Sequence, residues 1–450
     1  MTPDHVNHSI PGERYPVNPF DLSTDLFCTF SSQVIHLVMH LDGHVRYDLL
    51  ERAVERASLL EPITRCRIIR EEDTLFWQEL PACSRTDHVL RLSSRGQEDL
   101  LYQALCYPLD PYRGELFQVI LIEDGVNGDV LVINAHHIVM DGRGLRDFTG
   151  LVMKCYAEFQ SGTLTEIPQS AIWSRQLPRV SSLRRDERET TQETPTGWCS
   201  PLSVPLQSSH ADTFRYSLLF LNQSRTAVIG DTRREWGITV NDLMIAVLAR
   251  AIAHIIPVKS EVTVPLYITI DLRRYLPVIP ERSLVNFSTS FEVKIPLIPD
   301  ESLEDTGKRV HLLMNRIKSG SPGLDEAVEA EKLAESGYTA ARDLMVTAWK
   351  NMQDAGCKTT LFSNTGIISR DQMSPGILSV RNAYLLPGFF QPPGFFFLLS
   401  TFGEIMTLSA SYAIPAYDPE MVDRMLRYID SIIPGTGAYP GEYRVIRKET

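Results

Sequence analysis

The stretch from Val130 to Gly142 constrains this chain more than any other. Val130-Leu131-Val132-Ile133 is an uninterrupted apolar run that reads as a buried strand. His136 and His137 close it, and Asp141-Gly142 then marks a sharp turn into a region of helical spacing. That order requires a sheet with a helix returning across it, and it leaves a titratable pair at the strand end. A histidine so placed can accept a proton near neutral pH. The spacing His-His-x-x-x-Asp-Gly should arise by chance in roughly one chain in a thousand of this length.

The same alternation runs through the rest of the sequence. Val34 to Leu41, Thr64 to Ile69, Thr74 to Glu79 and Phe117 to Glu123 read as strands, and Arg46 to Leu60 and Gly144 to Gln160 as amphipathic helices. Residues 181–212 begin with a charged run and continue as an aperiodic Thr/Gln/Pro/Ser mixture, which marks a linker. The pattern then resumes. Strands are expected at 214–221, 262–270, 395–399 and 406–412. Helices are expected after Thr239, after Ser302, over 340–353 and after Asp418-Pro419. The organisation is therefore α/β, with an N-terminal lobe over 1–180, a linker over 181–212 and a C-terminal lobe over 213–450.

Composition narrows the partners. With 44 Lys and Arg against 56 Asp and Glu, the net charge is −12, which argues against a nucleic-acid surface. The seven cysteines are scattered and lack C-x-x-C spacing. They read as free thiols of a cytoplasmic protein. Neither a signal peptide nor a membrane span is visible, since the richest apolar stretch, 385–402, is broken by prolines and glycines. A monomer is expected.

Strand parity limits what the histidines can do together. Adjacent residues on a strand point to opposite faces, so one of His136 and His137 works while the other supports. Parity groups His137 with Leu131, Ile133 and Ala135, and His136 with Val130, Val132 and Asn134, without choosing between them. Asp141 can cap the helix, orient an imidazole or pair with an arginine. Gly142 permits a close backbone approach. The bland reading is a strand-turn-helix junction with two hydrogen-bonded histidines. A zinc site is disfavoured because no further ligands stand at recognisable spacing. A serine hydrolase is disfavoured because Gly-x-Ser-x-Gly is absent.

His136-His137-x-x-x-Asp141-Gly142 resembles the active-site signature of the condensation-domain and thioester-dependent acyltransferase superfamily. Weaker landmarks follow in the expected order: Leu41-Asp42-Gly43, Gly237 to Asp242, Asp271 to Pro277 with Asn286-Phe287, and Ser363-Asn364-Thr365-Gly366. The Asp271 to Pro277 segment is similar to the alcohol acyltransferase and polyketide-associated branch. The resemblance implies two chloramphenicol-acetyltransferase-like lobes, each a mixed sheet with flanking helices, around a central tunnel. It implies His137 as the base, with His136 and Gly142 beside it, and Asp141 as a brace to Arg273, or to Arg274 on the opposite parity. Asn364, Thr365 and Asn286 become candidate substrate contacts, the alternative for Asn364 being an ordinary turn. No bound cofactor or metal is implied. The co-substrate would be an acyl-CoA or a phosphopantetheine-linked acyl group on an acyl- or peptidyl-carrier protein, and the acceptor a small alcohol or amine. The expected function is a stand-alone acyltransferase. The alternatives are a condensation-type amide-forming enzyme of nonribosomal peptide biosynthesis, or a catalytically silent carrier-protein-binding module. Retention of every motif position favours an enzyme.

Overall fold

The computed structural model describes residues 13–81, 87–93, 97–124, 127–170, 175, 178–183, 202–256, 260–278, 282, 284–355 and 359–448. Residues 184–201, inside the expected linker, lie outside that set, as do Cys83, Cys199 and Cys357. The first half contributes β1 (Arg14–Pro16), α1 (Pro19–Phe27), β2 (Val34–Asp42), α2 (Tyr47–Leu60), β3 (Cys66–Glu71), β4 (Thr74–Glu79), β5 (Val89–Ser93), α3 (Gln97–Leu105), β6 (Phe117–Glu123), β7 (Val130–His136) and α4 (Gly142–Ser161). The second contributes β8 (Ala211–Leu221), α5 (Gln223–Glu235), α6 (Val240–Ile255), β9 (Val262–Asp271), β10 (Ser288–Leu297), α7 (Leu303–Ser319), α8 (Leu324–Glu335) and α9 (Tyr338–Asp354). It closes with β11 (Thr359–Ile368), β12 (Ser379–Leu386), β13 (Gly394–Phe402), β14 (Ile405–Pro415), α10 (Pro419–Ile432) and β15 (Glu442–Ile446).

Two mixed sheets organise these elements. One runs β12-β2-β7-β6-β5 and the other β10-β9-β11-β13-β14-β8-β15, with a small β1-β4-β3 sheet beside them. Pairing is antiparallel except for β5 with β6 and for β11 with β9 and β13. β12 comes from the second half of the chain yet pairs with β2, Leu385 opposite Leu37. The first sheet is thus completed by residues far beyond 180, and the two lobes share chain.

The position of β7 explains its sequence. All seven of its residues are buried. Leu131, Ile133 and Ala135 face a core shared with α2 and α4, where Leu50, Val54, Leu145, Phe148 and Val152 pack. Val130 and Val132 face the second lobe, against Tyr216, Leu218 and Tyr384. Helices on one side and a second lobe on the other make both faces apolar, hence an unbroken hydrophobic run rather than alternation. α4 is bounded as its sequence requires. Asp141 accepts the Gly144 N–H at 3.0 Å as N-cap, and Gly162 ends the helix at φ 73°. α6 begins at Thr239 with a full capping box to Asp242. The Phe-rich segment is interior: Phe395 and Phe397 pack in the second-lobe core and Phe389 between the lobes.

Among the described residues no single helix is long and apolar enough to cross a membrane. The bent pair α5 and α6 passes on composition, but α6 lies in the second-lobe core.

The inter-lobe face carries buried imidazoles. His36 bonds Asn134 at 2.8 Å through Nδ1, and burial pushes its pKa down to about 4. His136, on the same face of the ladder, is pushed down to about 3 by burial and by neighbouring His137. The unfolded chain therefore binds more protons than the folded one between about pH 6.5 and 4, so stability is complete above that window and is lost as pH falls through it. Each of these two histidines should add a slope of roughly 1 kcal/mol per pH unit there. Urea unfolding at pH 7, 6 and 5 should show the steepening, and His36→Gln should remove one share of it.

Candidate active site

The chain leaves the sheet at His136. The His136 N–H still reaches Leu116 O at 2.8 Å, but the His137 N–H bonds Gln33 O at 2.6 Å and the Val139 N–H returns to His136 O at 3.0 Å. The first two bonds continue the registers of β7 with β6 and with β2, so alternation holds through His137 and the turn proper begins beyond it. The two rings then differ sharply. His136 is buried, and its Nδ1 accepts the Ile138 N–H at 3.2 Å. That assigns its proton to Nε2, which lies 3.6 Å from Cys28 Sγ. His137 is only half-buried, with its Nδ1 sealed from solvent and in no good hydrogen-bonding geometry with any described residue. Burial lowers its pKa, partly offset by the Asp141 charge and by its own carbonyl. His137 is thus the neutral, accessible imidazole of the pair.

Asp141 is engaged on every side. Its Oδ2 accepts Arg273 Nη1 at 2.7 Å and the Phe287 N–H at 3.1 Å, while Oδ1 accepts the Gly144 N–H. Burial alone would raise its pKa, but the Arg273 charge and these donors outweigh that and hold it below the usual carboxylate range. Arg273 also reaches Asp271 at 3.0 Å and Val285 O at 2.9 Å, and its own pKa is raised because these carboxylates outweigh desolvation. Strand β9 stops at Asp271, and Leu272–Tyr275 form a 3-10 turn. The choice between Arg273 and Arg274 is therefore made by a helical turn rather than by strand parity. Arg274 is exposed and lies over the Tyr275 ring.

A second clamp holds the other side of the turn. Arg175 Nη1 donates to Val139 O at 2.6 Å and to Leu284 O. Its Nη2 donates to Ile138 O at 3.0 Å and to Asp21 Oδ1 at 2.7 Å. Its guanidinium lies 5.1 Å from the Trp77 ring centroid, and the Trp77 indole N–H bonds Asp21 Oδ2 at 2.8 Å. One guanidinium thus binds both carbonyls that follow the histidine pair. Sequence reasoning missed Arg175 because it lies in an aperiodic stretch. Asp21 had a local signal, as the third residue after the N-cap Asn18 in a capping box.

The remaining candidates separate. A Cβ added at Gly142 would stand 3.5 Å from Leu385 Cδ2 and 3.8 Å from Thr365 Cγ2. Those are ordinary contacts, so the folded chain itself does not require glycine there, and Thr365 is brought to the motif. The Thr365 carbonyl is held by Arg146 Nη1 at 2.7 Å, and its hydroxyl bonds Leu399 O at 3.1 Å. Asn364 belongs to strand β11, at a register shift between Asn364 and Ile367; its Oδ1 accepts the Gly366 N–H and its Nδ2 faces Asn241 at 3.4 Å. Asn286 is buried, and its amide bonds Thr24 Oγ1 at 2.9 Å and Ser288 Oγ at 2.9 Å. It ties the second half to α1. Among the described residues no group of three or more His, Cys, Asp and Glu side chains is placed to hold a metal ion.

A model of the condensation domain matches residues 27–261, more than half of the chain and all of this motif. The chain belongs to the condensation-domain family. A model described as the phthiocerol/phthiodiolone dimycocerosyl transferase C-terminus matches residues 210–384. A 122-residue stretch is 29% identical to the hybrid PKS-NRPS synthetase pydA of Acremonium sp; it takes in 27% of this chain and 3% of that synthetase. Solved structures share the two-lobed, chloramphenicol-acetyltransferase-like fold. Trichothecene 15-O-acetyltransferase TRI3 from Fusarium sporotrichioides superposes with a TM-score of 0.71, 13% identity and 94% of each chain covered. The first condensation domain of the calcium-dependent antibiotic synthetase gives 0.69 and 14% identity over 95% of this chain and 98% of that one. Polyketide synthase associated protein 5 from Mycobacterium tuberculosis gives 0.64 and 13% over 95% and 99%. The condensation-domain and transferase models together cover residues 27–384.

Two stability outcomes follow from the clamps of this condensation-family site. Arg273→Gln should cost about 3–5 kcal/mol in urea unfolding, because Asp141 is left as an uncompensated buried charge. Arg175→Lys keeps the charge but cannot fork to three carbonyls and a carboxylate. It should cost about 2 kcal/mol or more by the same measurement; a loss below about 0.5 kcal/mol would show that the clamp is not holding the turn.

Proposed function

We propose that this protein transfers an acyl group from a thioester to a hydroxyl or amine, with His137 as general base. The observation that carries the reading is the asymmetry of the pair: His136 is locked by Ile138 and sealed, while His137 is neutral and half-open. A neutral imidazole can take the acceptor proton as that group attacks the thioester carbonyl. Nδ1 is buried, so the working nitrogen is Nε2. The proton then passes to the departing thiolate, and acyl carbon, nucleophile and thiol balance without a covalent enzyme intermediate.

The tetrahedral oxyanion needs donors. Asp141 occupies the Gly144 N–H through its side chain and the Leu145 N–H through its carbonyl. The N–H groups of Gly142 and Arg143, in the first turn of α4, have no intrahelical partner and can serve a developing negative charge. Asp141 does not carry protons in this scheme, since its charge is held by Arg273. It braces the turn. Thr365, whose methyl group comes close to Gly142, is read here as a substrate contact.

The donor is an acyl-CoA or an acylated carrier protein, which share the reactive thioester. The condensation-domain match and the similarity to a PKS-NRPS synthetase favour a carrier-bound donor and amide formation as a second reading. Purified protein incubated with acyl-CoAs and acyl-carrier proteins, with pooled alcohols and amines, separates these by thiol release and product mass. His137→Ala should lower turnover by about 100-fold or more at an unchanged melting temperature. Activity within about threefold of the parent would remove His137 as base. Burial lowers the His137 pKa, so on acidification the fall in kcat/KM should set in at a lower pH than it would for an ordinary imidazole.

A further inference from the structure

The second sheet turns one face to the first lobe, and the strand registers divide that face into rows. Tyr216 and Leu218 of β8 pack there against Val38, Val130 and Val132. Tyr216 lies opposite Ser411, Ser411 opposite Phe396, Phe396 opposite Leu361, and Leu361 opposite Tyr267. Two residues along, Leu218, Ser409, Leu398 and Ser363 form the next row. It continues through Thr269, whose hydroxyl donates to Ser363 Oγ at 2.7 Å, to Ser290, which is paired with Thr269.

This second row changes character part-way. Leu218, Ser409 and Leu398 are sealed between the lobes, whereas Ser363, Thr269 and Ser290 are only half-buried. Thr269 commits its proton to Ser363, and among the described residues neither Ser363 nor Ser290 donates to a protein acceptor. The open stretch lies between the two points that hold the histidine turn. Two residues beyond Thr269, Asp271 bonds Arg273, the partner of Asp141. Two residues before it, Tyr267 packs with Leu361 and Phe396, and Phe390 lies against them. Phe390 is bridged to Ser31, two residues from the Gln33 carbonyl that receives the His137 N–H. Beside Phe396, the Ser411 hydroxyl is buried and has no partner.

An uncharged hydroxyl row beside an apolar cluster matches a neutral ligand, an amide or hydroxyl group continued by an apolar part. The rise along β9 from Thr269 to Tyr267 sets the two about 7 Å apart. Donors left without a partner disfavour any substrate that lacks the matching group, so such a row selects as well as binds. We propose, resting on the transferase reading of the histidine motif, that Thr269, Ser290 and Ser363 are specificity-determining residues of the site. They bind a neutral amide or hydroxyl group of the substrate, and Tyr267, Leu361, Phe390 and Phe396 take its apolar continuation. Two substrates can supply this chemistry, the acceptor and the amide-bearing arm of the thioester donor.

Ligand-observed NMR titration of the whole protein tests this with two probes. N-ethylpantothenamide copies the donor arm without its thiol, and N-(2-hydroxyethyl)hexanamide copies an acceptor with an amide ahead of an apolar chain. Saturable binding of at least one is expected, and the tighter of the two names the substrate that lies on the row. Thr269→Val, which removes the hydroxyl at nearly constant shape, and Ser363→Ala should each weaken the bound probe by about fivefold or more. Thr269→Ser keeps a hydroxyl and should bind like the parent, which separates a lost hydrogen bond from a disturbed fold. Ser336→Ala, at the exposed end of α8, should change nothing. Neither probe carries a thioester, so binding is read without turnover, and failure of His137 as base leaves this result untouched. No saturable binding by either probe, or affinity within about twofold of the parent in both Thr269→Val and Ser363→Ala, overturns the proposal even where transferase activity is intact.

Discussion

The buried ion pair between Asp141 and Arg273 is the constraint on which the rest of the site depends. It joins the start of α4 to the 3-10 turn after β9, and the same carboxylate also holds the Phe287 N–H. Removing two charges from water costs about as much as their attraction returns, so such a pair adds little stability over a well-packed apolar pair. Its contribution here is geometrical. With Asp141 satisfied from three directions, the turn between β7 and α4 has one arrangement that leaves no buried charge unpaired. His137 inherits its direction from that arrangement.

The turn is held from both sides by arginines that differ in what they bind. Arg273 grips a carboxylate from the second half, while Arg175 grips backbone carbonyls from within the first half and the Leu284 carbonyl beyond it. Neither contacts the rings of the histidines. The different properties of those rings arise locally, from one backbone N–H given to His136 and from half-exposure of its neighbour. A single sequence dipeptide thus yields a fixed, uncharged support and a working base.

Much of this was legible in the sequence because its causes are local. The β7 run, the Asp141 cap, the Gly162 stop and the Thr239 box each act within a few residues. The distinction between His136 and His137 was half legible. Parity showed that the two diverge, and the His137 N–H bond to Gln33 O keeps that alternation; which of the two rings is left open depends on tertiary packing, which no periodicity reveals. Arg175 left no trace because its partners are backbone carbonyls, which every residue has. Asn286 looked like a candidate ligand contact, as any Asn beside a landmark would; its bonds to Thr24 and Ser288 depend on how α1 meets the second lobe. Strand β12 left no clear strand signal, since Arg381 and Asn382 interrupt its apolar residues, and its place in the first sheet is set by tertiary pairing alone.

That strand has a consequence for how the chain becomes a protein. Ser379 meets Asp42 across 337 residues, so β2 stays an open edge until β12 has left the ribosome. An unpaired apolar edge is a template for intermolecular pairing, and a closure over so long a loop is slow. The nascent first lobe therefore waits, exposed, for a partner 337 residues further along the chain. Its yield in a cell should depend on translation speed and chaperone supply more than the final stability of the fold would indicate.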